Sequence, residues 1–483
     1  MRINVVFHYL GLIMTIIGIA MVLPLLFSII YREPCTGAFA LSIVISTLLG
    51  LLLWRFVPAG AGGISRRDAI ILVAGSWIMM SFFGAMPYFF SGTFPSFIDA
   101  LFESVSGLTT SGSSILTDIE IYPKGILLWR SFSQWLGGMG IITLFVALFP
   151  MLGIGAARMV EAEMPGPQSD RLTPRIRDTA KSVWLLYLGF SGLELILLLF
   201  GGMPFFDALT VTFSTMATGG FCPRNASIAY YNSPFIEGVI IAFMILAGVN
   251  FGLYYFLLWK RQPWRLLKEP EFRFYIIMVF GSSFLIILNL IAEMGLPAGL
   301  AIRHGLFNTV SMVTTTGFAT TDFNTWPEFS RAILLFLVII GGSAGSTSGG
   351  LKVVRLLVLL KYVYRRFKLI INPNAVIPLK IGGNSVSENA LSGILGVSIL
   401  YVLTLAVLSL ILNAMGIDIV TAVSAIAANM ATTGPGLGMV GPATNYFWMP
   451  AAGKITVMIA MLVGRLELFT VFVIFSPSFW KWR

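Results

Sequence analysis

Apolar runs long enough to cross a membrane recur from one end of this chain to the other, at roughly 4–30, 38–57, 69–91, 126–154, 182–203, 235–259, 274–294, 331–360, 391–414 and 450–475. A hydrocarbon core about 30 Å thick takes about 20 residues of helix to span. Lipid leaves no partner for open backbone, so ten such runs predict an all-α polytopic membrane protein. The composition agrees, with 57% hydrophobic and 11% charged residues in 483. Between some of the runs lie shorter, half-polar segments that cannot span, near 99–109, 207–217, 304–314 and 421–431.

The net charge of +10 follows topology. If the spans alternate, Arg66, Arg67, the Arg158–Lys181 stretch, Lys260–Arg273, Lys361–Lys380 and the Lys481/Arg483 tail share one side. The fewer charges Arg32, Lys124, Arg130, Arg224, Arg303, Arg331 and Lys454 fall on or near the other. The positive-inside rule then makes both termini and the basic loops cytoplasmic, and the charge needs no nucleic acid to explain it. The first run, Val5 to about Ile30, is too long for a signal-peptide core and reads as a retained helix. Cys35 and Cys222 offer neither metal spacing nor a disulfide framework. His8 and His304 are the only histidines, and no paired aspartates or Gly-x-Ser-x-Gly elbow lies in the spans, so the reading is not of an enzyme.

The four half-polar segments align without gaps. They open at Asp99, Asp207, His304 and Thr421, run for about ten residues of helical character, and close on a Thr-X-Gly triplet. The triplets are Thr110-Ser111-Gly112, Thr218-Gly219-Gly220, Thr315-Thr316-Gly317 and Thr432-Thr433-Gly434. One such triplet is an ordinary helix end, with glycine as the C-terminal cap. Four at one offset, each between two spans, predict four pseudo-repeats of helix–pore loop–helix around a central pore, plus two extra N-terminal transmembrane helices. The boundaries are 1–60 for the leading pair and 61–170, 171–270, 271–380 and 381–483 for the units. All four units have the same orientation, unlike the inverted halves of many secondary transporters.

Non-helical backbone at membrane depth survives only inside protein or around a watery cavity. Four extended triplets about one axis supply such a cavity. Their carbonyls can replace the water shell of a dehydrated cation, with serine and threonine hydroxyls adding oxygen at the inner end. Each preceding short helix points its C-terminal end, worth about half a negative charge, at the same place.

These residues resemble the Trk/Ktr/HKT superfamily of potassium transporters, and the two leading helices resemble its bacterial TrkH branch. Two further stretches carry the likeness: Trp129-Arg130-Ser-Phe-Ser-Gln134-Trp135-Leu-Gly137-Gly138-Met-Gly140 and Gly341-Gly-Ser-Ala-Gly-Ser-Thr-Ser-Gly-Gly350-Leu-Lys352-Val-Val-Arg355. The resemblance covers essentially the whole chain. It implies potassium uptake across the bacterial inner membrane, K+ as the transported ion with no organic cofactor, a homodimer, and a cytoplasmic nucleotide-binding regulator of the TrkA type. In that family a serine in place of the first filter glycine accompanies sodium transport, so Gly112 favours potassium. Ser111 and Gly219, where the other triplets have threonine, make the four walls chemically unequal.

Gly341, Gly342, Ser343, Ala344, Gly345, Ser346, Thr347, Ser348, Gly349 and Gly350 lie inside a predicted span. The run lacks the Gly-Lys-Ser/Thr ending of a phosphate loop. It reads either as an irregular loop across the permeation path, a gate found only in the third unit, or as a small-residue helix-packing surface. Arg465 lies about 22 Å along the last span and either faces this loop, where the family also places an arginine, or snorkels to the inner surface. Lys352 and Arg355 carry the same two readings. A membrane potential of 100 mV supplies about 2.3 kcal/mol per charge, enough for roughly fiftyfold accumulation without a coupling ion. Symport is left open.

Overall fold

In the computed structural model, which describes residues 3–58, 65–143, 176–258 and 261–481, the chain opens with a helical hairpin. Helix Ile3–Ala20 continues as Val22–Ile30 and returns as Thr36–Phe56. The hairpin closes on small residues, because a β-carbon at Gly11 would sit 2.7 Å from the Gly50 carbonyl oxygen and one at Gly18 would sit 2.4 Å from the Thr47 hydroxyl. Without a hydrophobic drive between helices in lipid, such close approach is what holds them together.

Four units follow. Long helices Arg66–Phe90, Ile176–Phe200, Pro270–Met294 and Glu388–Ala414 each lead to a short one: Phe97–Leu108, Phe205–Met216, Ala298–Val313 and Ile419–Met430. Return helices then begin at Lys124, Pro234, Glu328 and Ala451. The short helices start at caps that precede the aligned polar residues. Ser96 and Asp418 accept the amides of Asp99 and Thr421, and Pro204 and Pro297 open the other two. Asp99, Asp207 and Thr421 therefore sit at the third helical position, where a carboxylate also suits the positive end of the helix. The third short helix begins six residues before His304, since nothing between Pro297 and His304 breaks it.

Among the described residues six helices are long and apolar enough to cross a membrane, and a bent pair makes a seventh. Three of the ten runs, read as continuous, are broken, the last of them being the bent pair, and a further one, 126–154, is described only in part. The run 235–259 divides into Pro234–Ala247 and Phe251–Leu258, and 331–360 divides into Glu328–Ile340 and Val353–Ile371. In the last run, Ala451–Arg465 turns by 112° into the segment from Leu468, at Glu467 with φ of 62°. Interruption is therefore shared by the second, third and fourth units and is longest in the third. The run 126–154 is helical to Thr143, and its remainder, the Arg158–Lys181 stretch up to residue 175, the boundary at 170, Lys260 and Arg483 lie outside the described residues.

Two of the charges expected on or near the outer side are buried in ion pairs. Arg130 pairs with Glu103 at 2.7 Å and Lys454 with Asp99 at 2.6 Å. On the basic side, Lys380–Ile381 and Asn384–Ser385 form a two-stranded hairpin, and Arg67 lies against the rings of Phe479 and Trp480, tying the C-terminal helix Pro477–Lys481 to the first unit.

Candidate functional site

The four short helices end in one backbone form. In each, the first two amides of the triplet bond back to carbonyls three and five residues earlier: Thr110 to Gly107 and Ser111 to Ser106, Thr218 to Thr215 and Gly219 to Ser214, Thr315 to Met312 and Thr316 to Ser311, Thr432 to Asn429 and Thr433 to Ala428. This is the Schellman closure. Its left-handed residue is the threonine, with φ between 51° and 58° in all four, so threonine rather than glycine is the cap. A β-branched residue in that region costs about 1–2 kcal/mol. The surroundings impose that strain four times.

Two residues on, Gly112, Gly220, Gly317 and Gly434 are left-handed again, at φ 78°, 77°, 85° and 92°. Alternating the sign of φ turns successive carbonyls to one side of the strand, where a uniform extended strand would alternate them. The triplet threonines are fully buried, and among the described residues no hydrogen bond reaches the carbonyl oxygens of Thr110, Thr218, Thr315 or Thr432. Buried carbonyls without donors are uncommon in proteins.

The strands meet in a ring. A β-carbon on Gly112 would lie 2.2 Å from the Gly219 oxygen, one on Gly220 2.1 Å from Thr316 oxygen, one on Gly317 2.0 Å from Thr433 oxygen, and one on Gly434 2.5 Å from Ser111 oxygen. Each glycine thus faces the middle carbonyl of the next strand, and the fourth returns to the first.

Each strand is braced differently. Ser111 and Ser113 donate to Asn429 Oδ1 at 2.9 and 2.7 Å, and Tyr446 donates to the Gly434 carbonyl at 2.9 Å. Thr316 and Thr314 hydroxyls pair at 2.8 Å. Glu103, fully buried, gathers Arg130 Nε, the Ser114 hydroxyl and the Ile115 amide. Gln134 reaches Gly219 and Phe221.

The segment 341–350 is an irregular, largely buried loop beside these strands, so the helix-packing alternative does not hold. The Ser348 hydroxyl donates to the Thr314 carbonyl, and the Gly349 amide donates to the Thr315 hydroxyl, both at 2.8 Å. A β-carbon at Gly349 would lie 2.1 Å from the Ala431 oxygen, which places the loop under the third and fourth strands together. The Ser343 and Thr347 amides satisfy Gly248 and Ala247, the carbonyls orphaned where the second return helix breaks. Glu271 accepts the Ala344 amide.

Arg465 is 3% exposed and does not snorkel. It donates to the Thr347 carbonyl at 2.9 Å and the Gly137 carbonyl at 3.0 Å, so one guanidinium joins the loop to the first unit. Lys352 is buried as well, and its ammonium donates to the Ser348 carbonyl. Arg355 pairs with Glu467 at 2.7 Å. Glu467, two residues beyond Arg465, could not face it along a helix, and its partner lies on helix Val353–Ile371 of the third unit. Glu103, Asn429 and Tyr446 carry no sequence signal of their own beyond being polar in apolar surroundings, and Arg130 and Gln134 stand out only as members of the Trp129–Gly140 stretch, which assigns them no role. Among the described residues no group of His, Cys, Asp and Glu could hold a metal ion, so oxygen from backbone and hydroxyls is what the site offers a cation.

A family model described as TrkH, cation transport protein, matches residues 37–482. The chain is 38% identical over 488 residues to the Trk system potassium uptake protein TrkH of Salmonella typhimurium and 38% identical over 487 residues to that of Escherichia coli K12, with both partners covered completely. It is 32% identical over 484 residues to the Trk system potassium uptake protein TrkG of Escherichia coli K12, with 99% of each covered. The crystal structure of the potassium transporter TrkH from Vibrio parahaemolyticus superposes with a TM-score of 0.92 at 34% identity over all of both chains.

Proposed function

The chain belongs to the TrkH family of cation transport proteins, a family of transporters rather than enzymes, and we propose that it takes up potassium through a filter of its four Thr-X-Gly strands. The observation that carries this reading is the closed ring in which each glycine faces the middle carbonyl of the next strand, with four buried threonine carbonyls that no donor among the described residues reaches. Oxygen so arranged replaces a hydration shell, and four helix C-termini converge behind it.

The loop 341–350 acts as the gate beneath the filter. Its bonds to Thr314 and Thr315 support that role, and Lys352 and Arg465 hold the adjacent carbonyls of Ser348 and Thr347. The protein sits in the inner membrane with both termini cytoplasmic, works as a homodimer, and is regulated by a TrkA-type nucleotide-binding subunit on the basic inner loops. The 112° bend at Glu467 and the Arg355–Glu467 pair give that subunit a mechanical route from the cytoplasmic end of the third unit to the fourth.

Growth of a potassium-uptake-deficient bacterium on limiting potassium, with this chain expressed and with Gly317→Ser expressed, tests the proposal. Rescue by the native chain and loss of potassium preference over sodium in the variant are expected. Failure of rescue with and without a TrkA-type partner overturns it.

A further inference from the structure

We infer that Gln134, on the return helix of the first unit, supplies the side chain that the second strand lacks and so sets the position of the Gly219 carbonyl. The inference rests on the filter reading above and concerns why one wall differs.

Position 219 does not need glycine for its backbone. Gly112, Gly220, Gly317 and Gly434 are left-handed, and Gly219 is not. Space is the constraint: a β-carbon on Gly219 would lie 2.4 Å from Gln134 Cδ, with the amide oxygen and nitrogen at 2.6 and 2.8 Å. Gln134 is fully buried, and its amide is used at both ends. Nε2 donates to the Gly219 carbonyl at 2.5 Å, and Oε1 accepts the Phe221 amide at 3.2 Å.

In the first and third strands the middle residue's own hydroxyl makes the brace, Ser111 to Asn429 on the fourth short helix and Thr316 to Thr314. In the second strand, whose middle residue has no side chain, the bracing group comes wholly from the return helix of the first unit. That helix is fixed one turn later, because β-carbons at Gly137 and Gly138 would lie 1.8 Å from the Leu108 carbonyl and 2.9 Å from Ala217. Gln134 thus has a backbone-defined place between the first and second strands.

The Gly219 oxygen is also the one that faces Gly112, so the glutamine acts on the step of the ring between those strands. A carbonyl already accepting from an amide gives a cation less of its charge than its counterparts. Gln134 is a positioning residue, and the pair Gln134/Gly219 is a coupled unit.

The test uses reconstituted full-length protein and reads the potassium-to-sodium permeability ratio from reversal potentials. Gln134→Met keeps length and removes the donor, and should lower the ratio about tenfold, the scale of one buried hydrogen bond. Gly219→Ser alone should reduce uptake about tenfold or more through collision with Gln134. Gln134→Ala with Gly219→Ser should recover uptake to within about twofold of the native chain, the non-additivity expected of contacting residues. If Gly219→Ser does not fold, recovery of folded yield in the double variant is the same test. Tolerance of Gly219→Ser beside native Gln134, or a double variant no better than the worse single, overturns the inference. Gly317→Ser serves as the control: an unchanged ratio there sinks the filter reading, whereas a changed ratio there with none for Gln134→Met sinks this inference alone.

Discussion

Lys454 Nζ lies 2.6 Å from Asp99 Oδ1, joining the last return helix to the first short helix through two side chains that are each 8% exposed. Removing one partner of a buried pair leaves an uncompensated charge and costs about 3–5 kcal/mol, whereas replacing both by apolar residues is often neutral. Asp99→Leu should therefore lower the thermal midpoint of the detergent-solubilised protein far more than Asp99→Leu with Lys454→Met. Glu328→Ala, which breaks a pair whose carboxylate is 88% exposed, should cost under about 1 kcal/mol. Equal losses in all three would show that the Lys454–Asp99 contact carries no special weight.

The ring glycines should reject even a methyl group. Alanine at Gly112, Gly220 or Gly317 must displace a backbone oxygen 2.0–2.2 Å away and adopt a left-handed φ, while Gly434 has slightly more room at 2.5 Å. Potassium uptake should fall about tenfold or more in the first three and somewhat less in Gly434→Ala. Gly37→Ala meets open space in a helix and should be neutral or stabilise by about 1 kcal/mol. Comparable uptake from Gly37→Ala and Gly317→Ala would contradict the assignment.

The loop should hold the path closed by a few identifiable bonds. Ser348→Ala removes the donor to Thr314, a bond worth about 1 kcal/mol, and so should raise rubidium flux about fivefold in vesicles holding this chain alone. Deleting residues 345–348 should raise it further. Flux that stays at the native level in both leaves the loop with no gating role.

Acid should loosen the fourth short helix from its outer end. Asp418 caps that helix, and its pKa is lowered by the hydrogen bond from the Thr421 side chain and then by that from the Thr421 amide. A depressed carboxylate pKa contributes stability that is complete above the unfolded value near 3.9 and disappears as pH falls through the lower folded value. Asp418→Asn keeps a capping oxygen without the titration. Thermal midpoints between pH 6 and 3 should drop less for the variant than for the native chain, and parallel curves would rule the cap out as the source.

The membrane class, the four short helices and the triplets were legible because each is a local pattern: apolar length, a helix-then-Thr-X-Gly register, and repetition. The broken return helices were not. Glu467 is an ordinary residue in an apolar run, and only its bond to Arg355, more than 100 residues away, makes a left-handed φ there intelligible. For Arg130 and Lys454 the charge rules gave only a side of the membrane, because they take no account of a buried carboxylate on a neighbouring element. The threonine caps were missed for a related reason. Propensity assigns a helix end to glycine, and a β-branched residue there reflects what the neighbouring strands and the loop impose.

The order of the ring also governs how the protein is made. Gly434 meets Ser111, so the circle closes only between the first strand synthesised and the last. At about 5–20 residues per second, roughly half a minute separates their emergence from the ribosome. Throughout that interval no complete oxygen ring exists. If the ring is the filter, a chain released early therefore carries no finished filter, a consequence of connectivity alone.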